Sequence, residues 1–302
     1  MKQKLGVYAA VTFAMIFWAL SFIWYKQVYE YYNPITTVLF RLVLSSAFLY
    51  IVTLSMKKLQ RMRKKDLPLF ILATFFEPFL YFLGESFGVK FVSSTLAAVI
   101  VSTIPLFSPV ATAFFFRERL SFINLSGLVI SVVGVFVVIL SQSQGGVTAS
   151  PLGIACLSLA VVAAIGYSIV IRKLTEKYNS FTIVTYQNSL GILFFAPLFF
   201  IFEYRNFIQV PFNSEVLVPL LQLSIFASTF AFVFFTYAIR NIGVTKANIF
   251  ANTIPVFTAF FAWFLLDEAL GMLKMLGIGI VLIGLYMSQV QFTRQKLMVK
   301  KQ

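Results

Sequence analysis

The sequence predicts an all-α membrane protein in which ten transmembrane helices form two inverted five-helix repeats, with the N- and C-termini in the cytoplasm. Three observations predict this fold class. The 302 residues are 60% hydrophobic and only 11% charged, and the mean hydropathy of +0.91 is far above that of ordinary soluble domains. Basic residues cluster in alternate connections between apolar runs, and the second half of the chain repeats the first.

The apolar runs approach the ~20 residues that a helix needs to cross a ~30 Å hydrocarbon core. The first run follows "MKQK" but contains Trp18 and Trp24 and no small-residue cleavage site, so it is predicted to be a retained helix rather than a signal peptide. The ten predicted helices cover residues 5–25, 35–56, 67–89, 94–116, 122–141, 151–171, 180–202, 215–239, 244–266 and 270–290.

The charge distribution predicts the orientation of these helices. With a cytoplasmic N-terminus, 19 Lys and Arg residues lie on the inner side and 4 on the outer side, which is the positive-inside pattern of a multi-pass protein of the cytoplasmic membrane. The net charge of +14 is therefore a topology signal, with anionic lipid headgroups as minor partners. It does not indicate a nucleic-acid partner.

An internal repeat divides the chain into two units, residues 1–145 and 146–302. Residues 95–134 align with residues 245–284 without a gap and share 12 identities in 40 positions. The weaker pair "YNPITTV" at 32–38 and "YNSFTIV" at 178–184 extends the match. Because each unit holds five helices, the second enters the membrane from the opposite side. The shared residues include both Thr-Ile-Pro motifs, at Pro105 and Pro255, the glutamates Glu118 and Glu268, and the glycines Gly127, Gly134, Gly277 and Gly284.

These features together resemble the drug/metabolite transporter superfamily, specifically its EamA-type members, over essentially the whole chain. The resemblance implies a secondary active or facilitative transporter of amino acids or other small metabolites, often in export. It also implies alternating access around a midplane cavity lined largely by helices 1, 3, 4, 6, 8 and 9. No cofactor is predicted.

Helices 1, 6 and 8 each carry an aromatic residue that combines ring surface with a polar group. Trp18, Tyr167 and Tyr237 are candidates for the cavity wall, and packing is the alternative. Ser21, which matches Ser168 in the repeat, is a further candidate substrate contact. Trp24 and Tyr25, near the outer boundary, are predicted to be interface anchors.

Helices 2 and 3 carry charges that the second repeat lacks. Arg41 and Glu85 lie at about one depth and are predicted to form a structural ion pair, because opposite charges lower each other's cost in the membrane. Glu77, in mid-span beside Pro78, has no evident basic partner. It is predicted to be a protonatable or amine-binding site with Tyr81 one turn away, and a neutral, hydrogen-bonded acid is the alternative.

The two Thr-Ile-Pro motifs lie near the membrane midplane, ~16 Å into their helices. Each proline removes a backbone donor, so Pro105 and Pro255 are predicted to be hinges, with a simple packing kink as the alternative. The nearby Ser102, Asn248 and Asn252 are predicted to form a polar wall for the substrate at the repeat interface.

The paired glycines of helices 5 and 10 occupy nearly one face of each helix. They predict close packing of these helices, either within a monomer or between the protomers of a homodimer.

An enzyme is not predicted, since the chain has no histidine, a single cysteine and no nucleotide-binding loop. A channel or a lipid scramblase is the alternative function, because both need a polar path through the membrane. The substrate, its direction and proton coupling are left open by the sequence.

Overall fold

The computed structural model describes residues 2–107, 122–142, 150–211 and 213–299. All regular secondary structure within those ranges is helical. The helices are α1 (Lys2–Val28), α2 (Pro34–Ser55), α3 (Lys64–Phe91), α4 (Ser94–Phe107), α5 (Phe122–Gln142), α6 (Pro151–Thr175), α7 (Ser180–Phe207), α8 (Ser214–Ile242), α9 (Val244–Ile249 continued by Phe250–Thr253 and Ile254–Leu266) and α10 (Met272–Val299).

Seven helices in the described ranges are long and apolar enough to cross a membrane, and α4, α5 and α10 contain shorter apolar stretches. All of them coincide with predicted runs. The all-α, multi-pass membrane fold class is therefore confirmed. That all ten helices cross, and that both termini are cytoplasmic, stay predictions.

Several helices continue past the ends that hydropathy predicts. α7 extends to Phe207 and α8 to Ile242, where Gly243 at a φ of 83° ends the helix. Hydropathy marks where apolar residues stop, whereas a helix stops only where its hydrogen-bond ladder is broken. The predicted end of the fourth helix at 116, and Glu118 after it, lie outside the described residues.

Within the described ranges, three helices widen into π-type turns: α3 at Phe75–Leu80, α7 at Phe199–Glu203 and α8 at Leu223–Phe230. In α3 the backbone of Glu77 leaves the helical region (φ −150°, ψ 118°) beside Pro78, which has no N–H to donate. The turns of α3 and α8 occupy matching positions in the two repeats. Such turns often occur at functional sites because they redirect side chains without ending the helix.

Both Thr-Ile-Pro motifs coincide with a break in the regular helix. In α4 the helix is regular to Val101 and turns at Ser102 and Thr103. In α9 a 3-10 segment occupies Phe250–Thr253. Each motif threonine donates a hydrogen bond from its hydroxyl to the carbonyl oxygen three residues earlier, at 2.6 Å in α4 and 2.7 Å in α9. Next to each proline, a threonine hydroxyl thus supplies a hydrogen bond to a backbone carbonyl.

The helices pack so that the two halves of the chain are interleaved. α5 packs along α10, α2 along α7, and α4 against α9. α1 packs against α8 and α9, while α6 packs against α3 and α4. When every helix number is shifted by five, the first three pairs map onto themselves, α1–α8 exchanges with α6–α3, and α1–α9 exchanges with α6–α4.

Carboxylates from the second half cap two helices of the first. Glu203 accepts hydrogen bonds from the backbone N–H groups of Ile35 (3.2 Å) and Thr36 (2.7 Å) at the start of α2. Glu268 accepts from the N–H of Ser94 at 2.9 Å and from the hydroxyl of Thr95 at 2.8 Å at the start of α4. Both carboxylates satisfy orphan donors and complement the positive end of a helix dipole.

The glycine seam between α5 and α10 is confirmed, and it lies within one chain. A Cβ atom on Gly134 would lie 2.6 Å from the backbone nitrogen of Val281, and one on Gly277 would lie 2.7 Å from the side chain of Val138. Gly284 approaches the backbone of Ser131 in the same way. Only glycine at these positions allows the two backbones to approach so closely.

We expect Gly134→Ala to lower the free energy of unfolding by about 1–3 kcal/mol, because the added methyl overlaps the backbone of α10. Gly279→Ala is the matched control, since no atom lies within 4 Å of a Cβ at that position. Thermal unfolding of the purified proteins in one detergent measures both. Equal melting temperatures for the two variants would contradict the seam.

Candidate functional site

A cavity lies between the two halves, and the space inside it that can hold the centre of a water-sized sphere is about 60 Å³. Its wall is formed by residues of α1, α2, α3, α4, α6, α8 and α9. The helices named by the resemblance all contribute, and α2 joins them through Arg41. Much of the wall is apolar or aromatic; the polar lining residues are Arg41, Glu77, Tyr81, Glu85, Tyr167, Ser168 and Asn248.

Five of the nine predicted substrate contacts line this cavity: Trp18, Glu77, Tyr81, Tyr167 and Asn248. Their helices bring them together from both halves of the chain.

The other four predicted contacts, Ser21, Ser102, Tyr237 and Asn252, do not line it. The hydroxyl groups of Ser21 and Ser102 each donate to a carbonyl of their own helix at 2.7 Å. Tyr237 is 37% exposed on the surface of α8. Pro105 and Pro255 are buried behind the wall, and a hinge role for them stays a prediction.

The charged part of the wall is organised around Arg41, whose side chain is fully enclosed. Its Nη1 lies 3.7 Å from Oε2 of Glu85. Its Nε donates a hydrogen bond to the hydroxyl of Ser228 in α8, and its Nη1 donates to the hydroxyl of Tyr25. The guanidinium carbon is 4.1 Å from the ring centroid of Phe82, within the range of a cation–π contact.

The carboxylate of Glu85 is held by two tyrosines as well. Oε1 accepts from the hydroxyl of Tyr81 at 3.0 Å, and Oε2 accepts from the hydroxyl of Tyr25 at 3.3 Å. A buried ion pair is tolerable only when its remaining donors and acceptors are also satisfied. The two tyrosines supply partners to both oxygens of Glu85, and Ser228 and Tyr25 accept from Nε and Nη1 of Arg41.

Tyr25 was predicted to be an interface anchor, and that prediction is wrong. Its side chain is fully buried, and Trp24 is only 6% exposed. The hydroxyl of Tyr25 lies between Arg41 and Glu85, so the ring faces the protein rather than the headgroups. Hydropathy indicates depth along a helix but not which way a residue faces, and no sequence signal distinguished these two environments.

Glu77 is positioned by α7 through a backbone contact. Because its backbone leaves the helix, its carbonyl oxygen is free to accept a hydrogen bond from Nε2 of Gln187 at 2.8 Å. The Oε1 atom of the same Gln187 accepts from the hydroxyl of Tyr167 at 3.1 Å. One amide thus links two cavity residues.

A second polar group beneath the wall was also missed from sequence. Nδ2 of Asn188 donates to the hydroxyl of Ser45 at 2.8 Å and to the carbonyl of Ser228 at 3.1 Å. The hydroxyl groups of Ser45 and Thr229 are 2.7 Å apart. These contacts hold α2, α7 and α8 together next to the Arg41 side chain. The available signal was the run of polar residues inside α7, which no charge or motif distinguished.

In this structure, interleaved membrane helices surround a cavity lined by charged and aromatic residues. Such an arrangement is typical of membrane transport proteins. The model of the EamA-like transporter family matches residues 5–140 and 151–289. The chain belongs to this family, as the resemblance implied.

Relatives across nearly the whole chain carry transporter names. An "Uncharacterized transporter" of Archaeoglobus fulgidus is 27% identical over 95% of this chain and 98% of its own. "Uncharacterized transporter YetK" of Bacillus subtilis is 23% identical over 96% and 88%. A "Probable terminal-alkyne amino-acid exporter" of Streptantibioticus cattleyicolor is 23% identical over 92% and 91%.

A solved crystal structure has a similar fold. It matches with a TM-score of 0.69 at 15% identity, over 94% of this chain and 98% of the other.

We expect Arg41→Met to lower the free energy of unfolding by about 3–5 kcal/mol, because Glu85 is then buried without its cation. The double variant Arg41→Met/Glu85→Met should recover part of that loss, since it removes both charges. Unfolding of the purified single and double variants measures the coupling.

The control for that measurement is Arg172→Met, which breaks an ion pair of 3.9 Å whose side chains are 75% and 69% exposed. It should cost less than about 1 kcal/mol. A double variant less stable than both single variants would argue against compensation between Arg41 and Glu85.

Proposed function

We propose that this protein is a carrier of small, amino-acid-like solutes that works by alternating access around the cavity, with export as the favoured direction. The observation that carries the proposal is the cavity itself, which is enclosed by both halves of the chain and lined by charged and aromatic side chains. Membership of the EamA-like family supports transport. The printed name of one relative, an amino-acid exporter, supports the solute class.

The two units, residues 1–145 and 146–302, are proposed to be inverted repeats related by a two-fold axis in the membrane plane. The contacts of α1 with α8 and α9 correspond to those of α6 with α3 and α4, and this correspondence supports the relation. Two matching contacts also support it: Tyr178 donates its hydroxyl to Asp66 at 2.8 Å, and Tyr31 donates its hydroxyl to Glu215 at 2.7 Å. Each contact joins the turn after the first helix of one unit to the start of the third helix of the other.

A protein built from inverted repeats can adopt two equivalent conformations, one open to each side of the membrane. The charge asymmetry supports a cytoplasmic location for both termini. The helix breaks at Pro105 and Pro255 lie beside the cavity wall at Ile104 and Ile254, where bending would change access to the site.

A carrier should show saturable uptake and counterflow when the purified full chain is placed in proteoliposomes with a panel of labelled amino acids. The reason is that one bound solute must be released before the next is taken. Runs with and without a pH gradient test proton coupling, and protein-free liposomes are the control. Flux that rises linearly with concentration, or lipid flipping without solute flux, would favour the channel or scramblase instead.

Pro255→Ala should reduce the maximal transport rate several-fold and leave the half-saturating concentration nearly unchanged, because a restored helix bends less readily. Pro151→Ala is the control, since Pro151 lies in the first turn of α6, where proline and alanine are both accommodated. Initial rates over a range of solute concentrations give both constants. The hinge assignment fails if the two variants transport at the same rate.

A further inference from the structure

The ionisable groups that face the cavity are not all paired. Among the described residues, three of them line it: Arg41, Glu77 and Glu85. Arg41 is paired with Glu85 at 3.7 Å, and the pair is completed by hydrogen bonds from and to tyrosine and serine hydroxyls. Glu77 is therefore the lining acid without an ion-pair partner among the described residues.

The carboxyl group of Glu77 also lacks hydrogen-bond partners. Its carbonyl oxygen is bound by Gln187, but within the described part of the chain no donor reaches its carboxyl oxygens. The side chain is enclosed, with the residue 7% exposed. A carboxylate in such surroundings is costly unless a cation or a donor approaches it, and the cavity is the side from which a solute reaches it.

Asn248 presents a second unsatisfied group from another wall. The residue is 5% exposed, and its Nδ2 atom has no hydrogen-bond partner among the described residues. An amide N–H₂ is a donor only. The cavity thus offers a carboxyl group on α3 and a neutral amide donor on α9.

The remaining wall suits an apolar group attached to a cation. Trp18 contacts the rings of Phe232 and Phe235 edge-on, with centroid distances of 5.2 and 4.9 Å. All three line the cavity. Aromatic rings bury apolar side groups and attract ammonium groups to their faces.

We propose that the cavity binds solutes that carry an ammonium group and an apolar side group, with Glu77 as the ammonium site and Asn248 as donor to an acceptor atom of the solute. The aromatic wall around Trp18 holds the side group. An anionic solute without an amine is disfavoured, because it would bring a second carboxylate next to Glu77 without a cation between them. This assignment rests on the proposed carrier function in taking the cavity as the substrate site.

Three probes of similar shape test the charge requirement on the unaltered full chain in detergent: 2-phenylethylamine, 2-phenylethanol and 3-phenylpropionate. Isothermal titration calorimetry should show binding of the amine about 10- to 100-fold tighter than that of the alcohol or the acid, as expected for a charge-assisted hydrogen bond. Equal affinities, or no binding of the amine, would overturn the proposal. This arm needs no variant.

Glu77→Gln keeps the shape of the side chain and removes its charge, so it should weaken amine binding by about 10- to 100-fold. Glu30→Gln, at an exposed glutamate outside the cavity, is the matched control and should leave the affinity unchanged. Amine binding that survives Glu77→Gln in a monodisperse, folded sample sinks the assignment. If that variant does not fold, the probe series decides alone.

L-Phenylalanine tests the second contact. Asn248→Ala should weaken binding of phenylalanine, whose carboxylate accepts from the amide, and leave binding of 2-phenylethylamine unchanged. Equal weakening of both ligands, or of neither, would overturn the role of Asn248.

Solute flux in proteoliposomes separates this assignment from the carrier function. Saturable flux of a panel solute, without any preference for ammonium probes, would overturn the ammonium site and leave the carrier standing. Glu77-dependent binding of the amine without flux would support the site and remove the carrier.

Discussion

The hydrocarbon core supplies no water, so every charge and free backbone group that this chain carries into the membrane must be matched by another protein group. The fold depends on how those matches are made. Many of them join one half of the chain to the other: Glu203 caps α2, Glu268 caps α4, and Arg41 of α2 donates to Ser228 of α8. A group in one half is thus satisfied only when the other half is in place.

At the cavity some of this matching is incomplete. Close packing along the glycine seam of α5 and α10 leaves no room between those helices, whereas the π-type turn of α3 redirects Glu77 away from a regular helical position. Glu77 and Asn248 present unsatisfied atoms at the wall. Unmatched polar groups are expensive in a membrane and are expected where a solute completes them.

The two halves of the chain have helix breaks at matching positions but differ in polar residues. The helix breaks in α4 and α9 and the π-type turns in α3 and α8 occur at matching positions. Gln187 stands where the first repeat has Arg41, and it binds the carbonyl of Glu77. The proposed two-fold symmetry of the backbone would allow two equivalent conformations, one open to each side of the membrane. The residues that differ between the halves would determine which solute binds.

The sequence by itself determined the membrane class, the positions of the apolar helices, the repeat, the family and the glycine seam, because these follow from residue type and spacing along the chain. It also led to Arg41 and Glu85 as partners, since so few charges enter the membrane. Only the tertiary structure decided which way each helix faces. It turned Tyr25 towards Arg41, kept Ser21, Ser102 and Tyr237 off the cavity wall, and joined Gln187 to Glu77. The physical reason is that a helix in lipid is apolar on nearly all sides, so hydropathy carries little information on rotation about its axis, and packing against neighbouring helices sets it.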